Sequence, residues 1–395
     1  MTDSEITGTV DFTANGETYQ TWYRLLGDLN SGKRPLVTLH GGPGFGHEAM
    51  LPHYELHRAR GIPVICYDQL GIGKSTHLRE KPKEFWSVEL FVDELANLVE
   101  KLGIAENFDL CGHSWGGMLA LSYVLAKQPK GLKRMVLVGT PSSMELWQKG
   151  TRELLEGLPK DTRETLKKHE REGTTDSEEY KAGMEVYFRK HMLKVVPVDP
   201  PVGTRCTPRE RGRPYGVFDH ERPFRFYITG TIKSWSVLDD LHKISQETLV
   251  INGADDEARD FVVGPLFWRI PKAKWVQFAN SSHLAFFEEP VRYFEVVGQF
   301  LTTPYVDGDA VSTNLRRARI GTVHNRNDRP ILWTWIEEPL GTQASVRCQL
   351  GIRPASFATA RFAALTSSSV VPDNLRRLSM VAALMFARIG AHDTH

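Results

Sequence analysis

Gly112-His113-Ser114-Trp115-Gly116 stands between an apolar β-rich run, FDLCGH over 108–113, and a helical stretch over 115–127. No other stretch constrains the fold so tightly. A serine at a strand-to-helix junction requires a sharp, strained turn, and small flanking residues let strand and helix approach each other. The hydroxyl is then held at the C-terminal edge of a sheet, where the helix start adds free N–H groups and positive partial charge. An ordinary glycine-containing turn is the competing account, so the surrounding pattern has to decide.

That pattern repeats. PLVTLH (35–40), PVICYD (63–68), KRMVLVG (133–139), TLVING (248–253) and AKWVQF (273–278) are short apolar runs. Helical stretches at 89–102, 115–127, 259–269 and 290–301 accompany them. Continuous rather than alternating apolarity, with helices between, predicts parallel strands covered on both faces, and right-handed crossovers wind them into a doubly wound α/β sheet. Residues 5–28 alternate around Asn15-Gly16 and read as an antiparallel hairpin.

The rhythm stops between 141 and 245. Charged helical patterns at 145–173 and 177–194 precede a Pro- and Arg-rich stretch, 197–223. This interval is too long for a loop and too polar for more sheet, so it reads as an inserted, mainly helical cap. The expected organisation is an α/β core from 1–140 and 246–302, a cap over 141–245 and an atypical Arg-rich tail over 303–395. The tail has no Lys, carries Arg from Arg316 to Arg388, and offers a plausible helical face only at 373–389. It reads as a solvated, poorly ordered appendage.

A chain of 395 residues, 41% hydrophobic and 25% charged, falls in the soluble globular class. Its formal net charge of +1 provides no field of one sign for nucleic acid or an anionic membrane, which leaves a small molecule or short peptide as the expected partner. The N-terminal MTDSEITGTVDF has no basic or apolar leader, and no run is long and apolar enough to span a bilayer. A cytoplasmic location is expected. Four scattered cysteines, Cys66, Cys111, Cys206 and Cys348, form neither a metal-like pair nor a disulfide framework. His53 and His57 lack the H-E-x-x-H pattern and read as a solvated helix face. Gly73-Lys74-Ser75 fails as a phosphate loop because Asp68 takes the first glycine position. Neither cofactor nor metal is expected.

Three further stretches carry chemistry. His40-Gly41-Gly42-Pro43-Gly44 directly follows a strand, and backbone N–H groups can approach an oxyanion only where side chains are absent, so Gly42 and Trp115 are the expected donor pair. Ser114 needs a histidine base and a carboxylate to fix that base's tautomer, in the order Ser, Asp, His after late strands. VINGADDEA offers Asp255 and Asp256, and FANSSHLAFFEE offers His283. His113, beside the serine on the turn, is expected to point elsewhere.

HGGPG at 40–44, YDQLGIGKS at 67–75, GHSWGGMLA at 112–120, INGADDEA at 251–258 and SSHLAFFEE at 281–289 together resemble the proline iminopeptidase group of α/β-hydrolases, the S33 serine peptidases and their amidase relatives. The resemblance covers residues 5–302. It implies an α/β-hydrolase fold with a cap, a Ser114–His283–Asp256 triad and an acyl-enzyme that water releases. It also places the triad acid at Asp256 rather than Asp255. Aminopeptidase members resemble G-P-x-E-F-x-x-x-G-T-L in the cap, with a glutamate for the substrate's free α-amine. Aligned on Gly230-Thr231, this chain has Arg225 at that position, with Asp219 and Glu221 nearby as replacement acids. Arg225 would repel an ammonium and suit a carboxylate or carbonyl. The expected activity is therefore amide or peptide cleavage, with an esterase, lactonase or amidase for a non-peptide metabolite as the alternative. A hydrolase-like binding protein is the remote third reading.

Overall fold

The computed structural model describes residues 5–194 and 231–303, together with four later strands by backbone alone. It divides into two units, Met1–Thr303 and Pro304–His395. The first begins with β1 (Glu5–Ala14) and β2 (Glu17–Leu26), joined at Asn15 and Gly16. Both turn residues have positive φ, 51° and 80°, which is the tight hairpin geometry that an Asn-Gly pair favours.

Strands and helices then alternate in chain order: β3 (Leu36–Leu39), α1 (Tyr54–Arg60), β4 (Val64–Tyr67), α2 (Val88–Lys101), β5 (Phe108–His113), α3 (Trp115–Lys127) and β6 (Leu132–Val138). After the cap come β7 (Glu247–Gly253), α7 (Asp260–Arg269), β8 (Ala273–Phe278), α8 (Ala285–Glu288) and α9 (Pro290–Thr302), once the three cap helices below are counted as α4 to α6. The eight strands lie in the order β1-β2-β4-β3-β5-β6-β7-β8. β1, β2 and β4 pair antiparallel, and all pairings from β4 through β3 to β8 are parallel.

Period-two geometry divides the central strands between two cores. Val37, Ile65, Leu110, Met135, Leu137 and Val250 join the core under α2, α3 and α7. Their chain neighbours Leu36, Cys66, Cys111, Val136 and Ile251 join the opposite core under α1, α8 and α9. Helices therefore cover both faces, as continuous apolar strands require.

The cap helices are α4 (Met144–Glu156), α5 (Lys160–Glu172) and α6 (Glu178–His191). The single pattern over 145–173 divides at Gly157-Leu158-Pro159, because proline disfavours helical backbone in the residue before it and sets the start of the next helix. Ser143 and Ser177 cap α4 and α6 by accepting the N–H groups of Leu146 and Tyr180. The two ends of the insertion meet: Met144 N–H donates to the Trp235 carbonyl and Val237 N–H to that of Ser142, at 2.9 and 3.2 Å.

The second unit contains β9 (Arg317–His324), β10 (Pro330–Glu337), β11 (Ala344–Gly351) and β12 (Phe357–Ala364), a four-stranded antiparallel sheet in the order β12-β11-β10-β9. The expectation for this region is a solvated, poorly ordered tail without strands. PILWTWIE is nonetheless rich in β-branched and aromatic residues, and the Arg-rich composition obscures that local signal.

Arg134 closes the first unit. Its guanidinium donates to the carbonyls of Leu301 and Thr303 at 2.7 and 2.6 Å, capping the end of α9, and its Nε donates to Glu247 at 2.7 Å. Because both cores and this closure by Arg134 are complete by Thr303, a chain ending there is expected to unfold cooperatively within about 2 °C of the full chain, as a change of about 1 kcal/mol would allow. Insoluble protein or a broad transition in differential scanning calorimetry would show that the second unit is needed to fold the first.

Candidate active site

The stretches that carry Gly42, Ser114, Asp256 and His283 follow β3, β5, β7 and β8 at the C-terminal edge of the sheet. β5 ends at His113, and Ser114 adopts φ 54° and ψ −116° before α3 starts at Trp115. The Ser114 N–H donates to the Val138 carbonyl at 2.8 Å, which ties the turn to the neighbouring strand. Gly116 has no room for a side chain, since a Cβ there would enter the carbonyl of Leu39. That close approach packs the start of α3 against β3 and brings Trp115 beside the His40–Gly44 loop.

The β7–α7 loop separates the two candidate acids. Asp256 is buried, and its Oδ1 receives His283 Nδ1 at 2.7 Å and the Ala258 N–H at 2.6 Å. Asp255 points outward to Lys194, 2.6 Å away. Only Asp256 can fix the His283 tautomer. Burial raises the Asp256 carboxyl above its ordinary range, while the His283 ring and the Ala258 N–H pull it partly back.

His283 lies against Gly139, where a Cβ would strike the imidazole, and Gly139 directly follows the Val138 carbonyl that binds Ser114. The ring is enclosed by His113 at 4.6 Å and by Trp147 of α4 at 5.8 Å, between centroids. His113 supports the base from beneath: its Nε2 donates to the His283 carbonyl at 3.0 Å.

Gly42, at φ 117°, lies in the loop after β3 and the first N–H groups of α3 follow β5, so both belong to the C-terminal edge of the paired strands. Burial holds His40 below its ordinary pKa, so the neutral ring accepts the Gln69 N–H at Nε2 and donates from Nδ1 to the Gly41 carbonyl, at 3.2 and 3.0 Å. Asp68 braces the loop from the other side by accepting the His47 N–H at 2.7 Å and the Lys74 N–H at 2.9 Å. With Glu48, His47 and Asp68 form the one cluster among the described residues whose ligand atoms approach closely enough for a metal ion. Asp68 already serves there as a hydrogen-bond hub for the backbone.

Two residues were missed at the sequence level. Glu257, fully buried, places Oε1 3.7 Å from His283 Nε2, and its Oε2 accepts the Tyr187 hydroxyl of α6 at 3.2 Å. Its signal was its place directly after the triad acid in GADDEA. Trp147 had none, because the contact joins a cap helix to a distant loop. Arg225 and Glu221 lie outside the described residues. His53 departs from the expected solvated face: it is buried and bonds to Tyr293 of α9 at 2.9 Å, and burial pushes its pKa down to about 4. The helix that starts beside it packs on the sheet, so this face looks inward.

A serine on a strand–helix elbow, a histidine fixed by a buried carboxylate and a glycine loop on a doubly wound sheet define an α/β-hydrolase. The family model described as the alpha/beta hydrolase fold matches residues 34–290. A proline iminopeptidase of Heyndrickxia coagulans is 34% identical over 302 residues, 75% of this chain and 98% of that one. That of Clostridioides difficile is 32% identical over 283 residues, covering 72% and 94%. Among solved structures, the proline iminopeptidase of Mycobacterium smegmatis superposes with a TM-score of 0.65 at 33% identity, covering 74% of this chain and 97% of that one. VinJ does so with 0.69 at 42%, covering 75% and 98%. This chain belongs to the proline iminopeptidase family of α/β-hydrolases, and it is a hydrolase. No helix among the described residues is long and apolar enough to cross a membrane.

Ser114→Ala is expected to lower kcat by about 10⁴- to 10⁶-fold with an unchanged melting temperature, measured on an aryl ester or arylamide. Asp256→Asn is expected to cost about 10⁴-fold, as loss of the correct histidine tautomer does, and Asp255→Asn less than about tenfold. Equal losses in the two asparagine variants would place the tautomer-fixing carboxylate elsewhere.

Proposed function

We propose that this hydrolase removes the N-terminal residue, proline included, from short peptides or small amides that carry a free α-amine, with Ser114 as nucleophile and His283 as base. His283 Nε2 takes the serine proton while Nδ1–H remains on Asp256. The N–H groups of Gly42 and Trp115 receive the oxyanion, His283 then protonates the leaving amine, and water releases the acyl group by the reverse sequence.

The observation that carries the reading is Glu257, buried 3.7 Å from His283 Nε2. In an N-terminal residue the ammonium nitrogen lies only about 2.5 Å from the scissile carbonyl carbon. An amine anchor must therefore sit within a few ångströms of the serine–histidine pair, and a buried carboxylate beside the base meets that requirement. A low local dielectric strengthens its attraction for an ammonium. Arg225 then need not decide the substrate's charge, because the negative group is supplied by the core rather than by the cap. We place the activity in the cytoplasm, where the buried thiols of Cys66 and Cys111 would stay reduced.

Prolyl and alanyl arylamides should be cleaved far better than their N-acetyl counterparts. In Glu257→Gln, kcat/KM for the free-amine substrates should fall about 100-fold, the cost of removing one partner from a buried charge pair. Wild-type preference for N-acetyl amides, simple esters or lactones would replace this reading with that of a non-peptide hydrolase.

A further inference from the structure

We infer that Gln69 is a positioning residue for the oxyanion hole, one that sets the Gly42 and Trp115 N–H groups at a fixed separation. This rests on the reading of those two groups as the oxyanion donors. They belong to different elements, the loop after β3 and the start of α3. Neither local sequence determines the distance between them, yet donors must be held to within about 0.5 Å of their working geometry.

Gln69 touches both. Its amide oxygen accepts the indole N–H of Trp115 at 2.8 Å, and its backbone N–H donates to His40 Nε2 at 3.2 Å. The far nitrogen of that ring donates to the Gly41 carbonyl at 3.0 Å. The Gly41 carbonyl and the Gly42 N–H belong to one planar peptide unit, so holding the oxygen on one side aims the N–H to the other. Gly42 has no side chain to be held by, and this ring holds its peptide instead.

Gln69 is itself clamped. Asp68 before it accepts the His47 and Lys74 N–H groups, and Leu70 after it donates to Glu94 at 2.9 Å. Glu94 in turn accepts the Thr21 hydroxyl of β2 at 2.6 Å. Trp115 is buried, edge-on to Phe91 at 5.7 Å, so the indole has little freedom once its N–H is held.

The choice of residue is informative. An indole N–H only donates, which orients the Gln69 amide with oxygen toward Trp115. The amide nitrogen is then buried without a hydrogen-bond partner among the described residues. Burying an unmet donor is costly, and an apolar side chain of similar size would fill the space without that cost. The oxygen's bond to the elbow is what this residue adds.

The test compares wild type, Gln69→Met, Trp115→Phe and the double variant on a prolyl arylamide, with melting temperature and fluorophosphonate labelling of Ser114 measured alongside. Each single variant should lose about 10- to 100-fold in kcat, the scale of a slightly misplaced donor, with KM within about threefold. Melting temperatures should stay within about 4 °C. Because both variants break one link, the double variant should be within about threefold of the worse single one. Wild-type kcat in Gln69→Met, a lowered melting temperature with kcat intact, or multiplicative losses in the double variant would overturn the inference. Wild-type protein that resists labelling at Ser114 would instead overturn the assignment of the nucleophile, and this inference with it.

Discussion

The constraint on which the structure depends is the backbone of Ser114. A non-glycine residue at φ 54° and ψ −116° carries strain of roughly 1–3 kcal/mol, and it persists only where its surroundings leave no alternative. Here β5 is paired on both sides, to β3 and β6, and α3 starts one residue later. The helix cannot relax toward a gentler turn without leaving the contact of Gly116 with β3. The sheet thus supplies the force that holds the hydroxyl out and the first helical N–H groups beside it. Catalytic geometry is here a consequence of parallel strand pairing.

Electrostatics completes what strain begins. Two adjacent aspartates on one loop acquire different chemistry because one faces Lys194 and water while the other is buried against His283. Away from solvent, the Asp256–His283 hydrogen bond and the nearby Glu257 carboxylate act through a low dielectric, so small distances carry large energies. In the proposed mechanism an ammonium arriving at Glu257 and a positive imidazole forming at His283 are therefore coupled. The carboxylate that would attract the substrate would also favour the charge that His283 acquires as it takes the serine proton.

Much of this was legible in the sequence because it is written locally. Asn15-Gly16 sets the hairpin, and continuous apolar runs place β3 to β8 within a residue of their observed bounds. The G-x-S-x-G stretch marks the elbow, and the late order of Asp256 and His283 follows from strand succession. What was illegible is written between elements. The two stretches that make Glu257 and Tyr187 neighbours are 70 residues apart, and no spacing rule joins them. His53 looked like a solvated position because the helix that starts beside it carries Glu55, Arg58 and Arg60, while its partners, Tyr293 and Cys111, come from α9 and β5. The Arg-rich region after Thr303 hides its strands because composition averages over a long segment, whereas strands are short.

The cap is more than a cover placed over a finished site. Glu257 N–H donates to the His191 carbonyl at 3.2 Å, His191 Nδ1 donates to the Asp255 carbonyl at 2.9 Å, and the Lys194 N–H donates to Glu288 at 2.7 Å. Glu288 in turn accepts the Ser282 N–H beside His283 at 2.6 Å. The C-terminal end of α6 is therefore bonded to the two loops that carry the acid and the base, while Trp147 of α4 closes over the imidazole. On the proposed reading, substrate selection and proton transfer share these bonds. A change that shifts α6 moves Glu257 and the loop that carries His283 together, so specificity and rate would be set by one connected network.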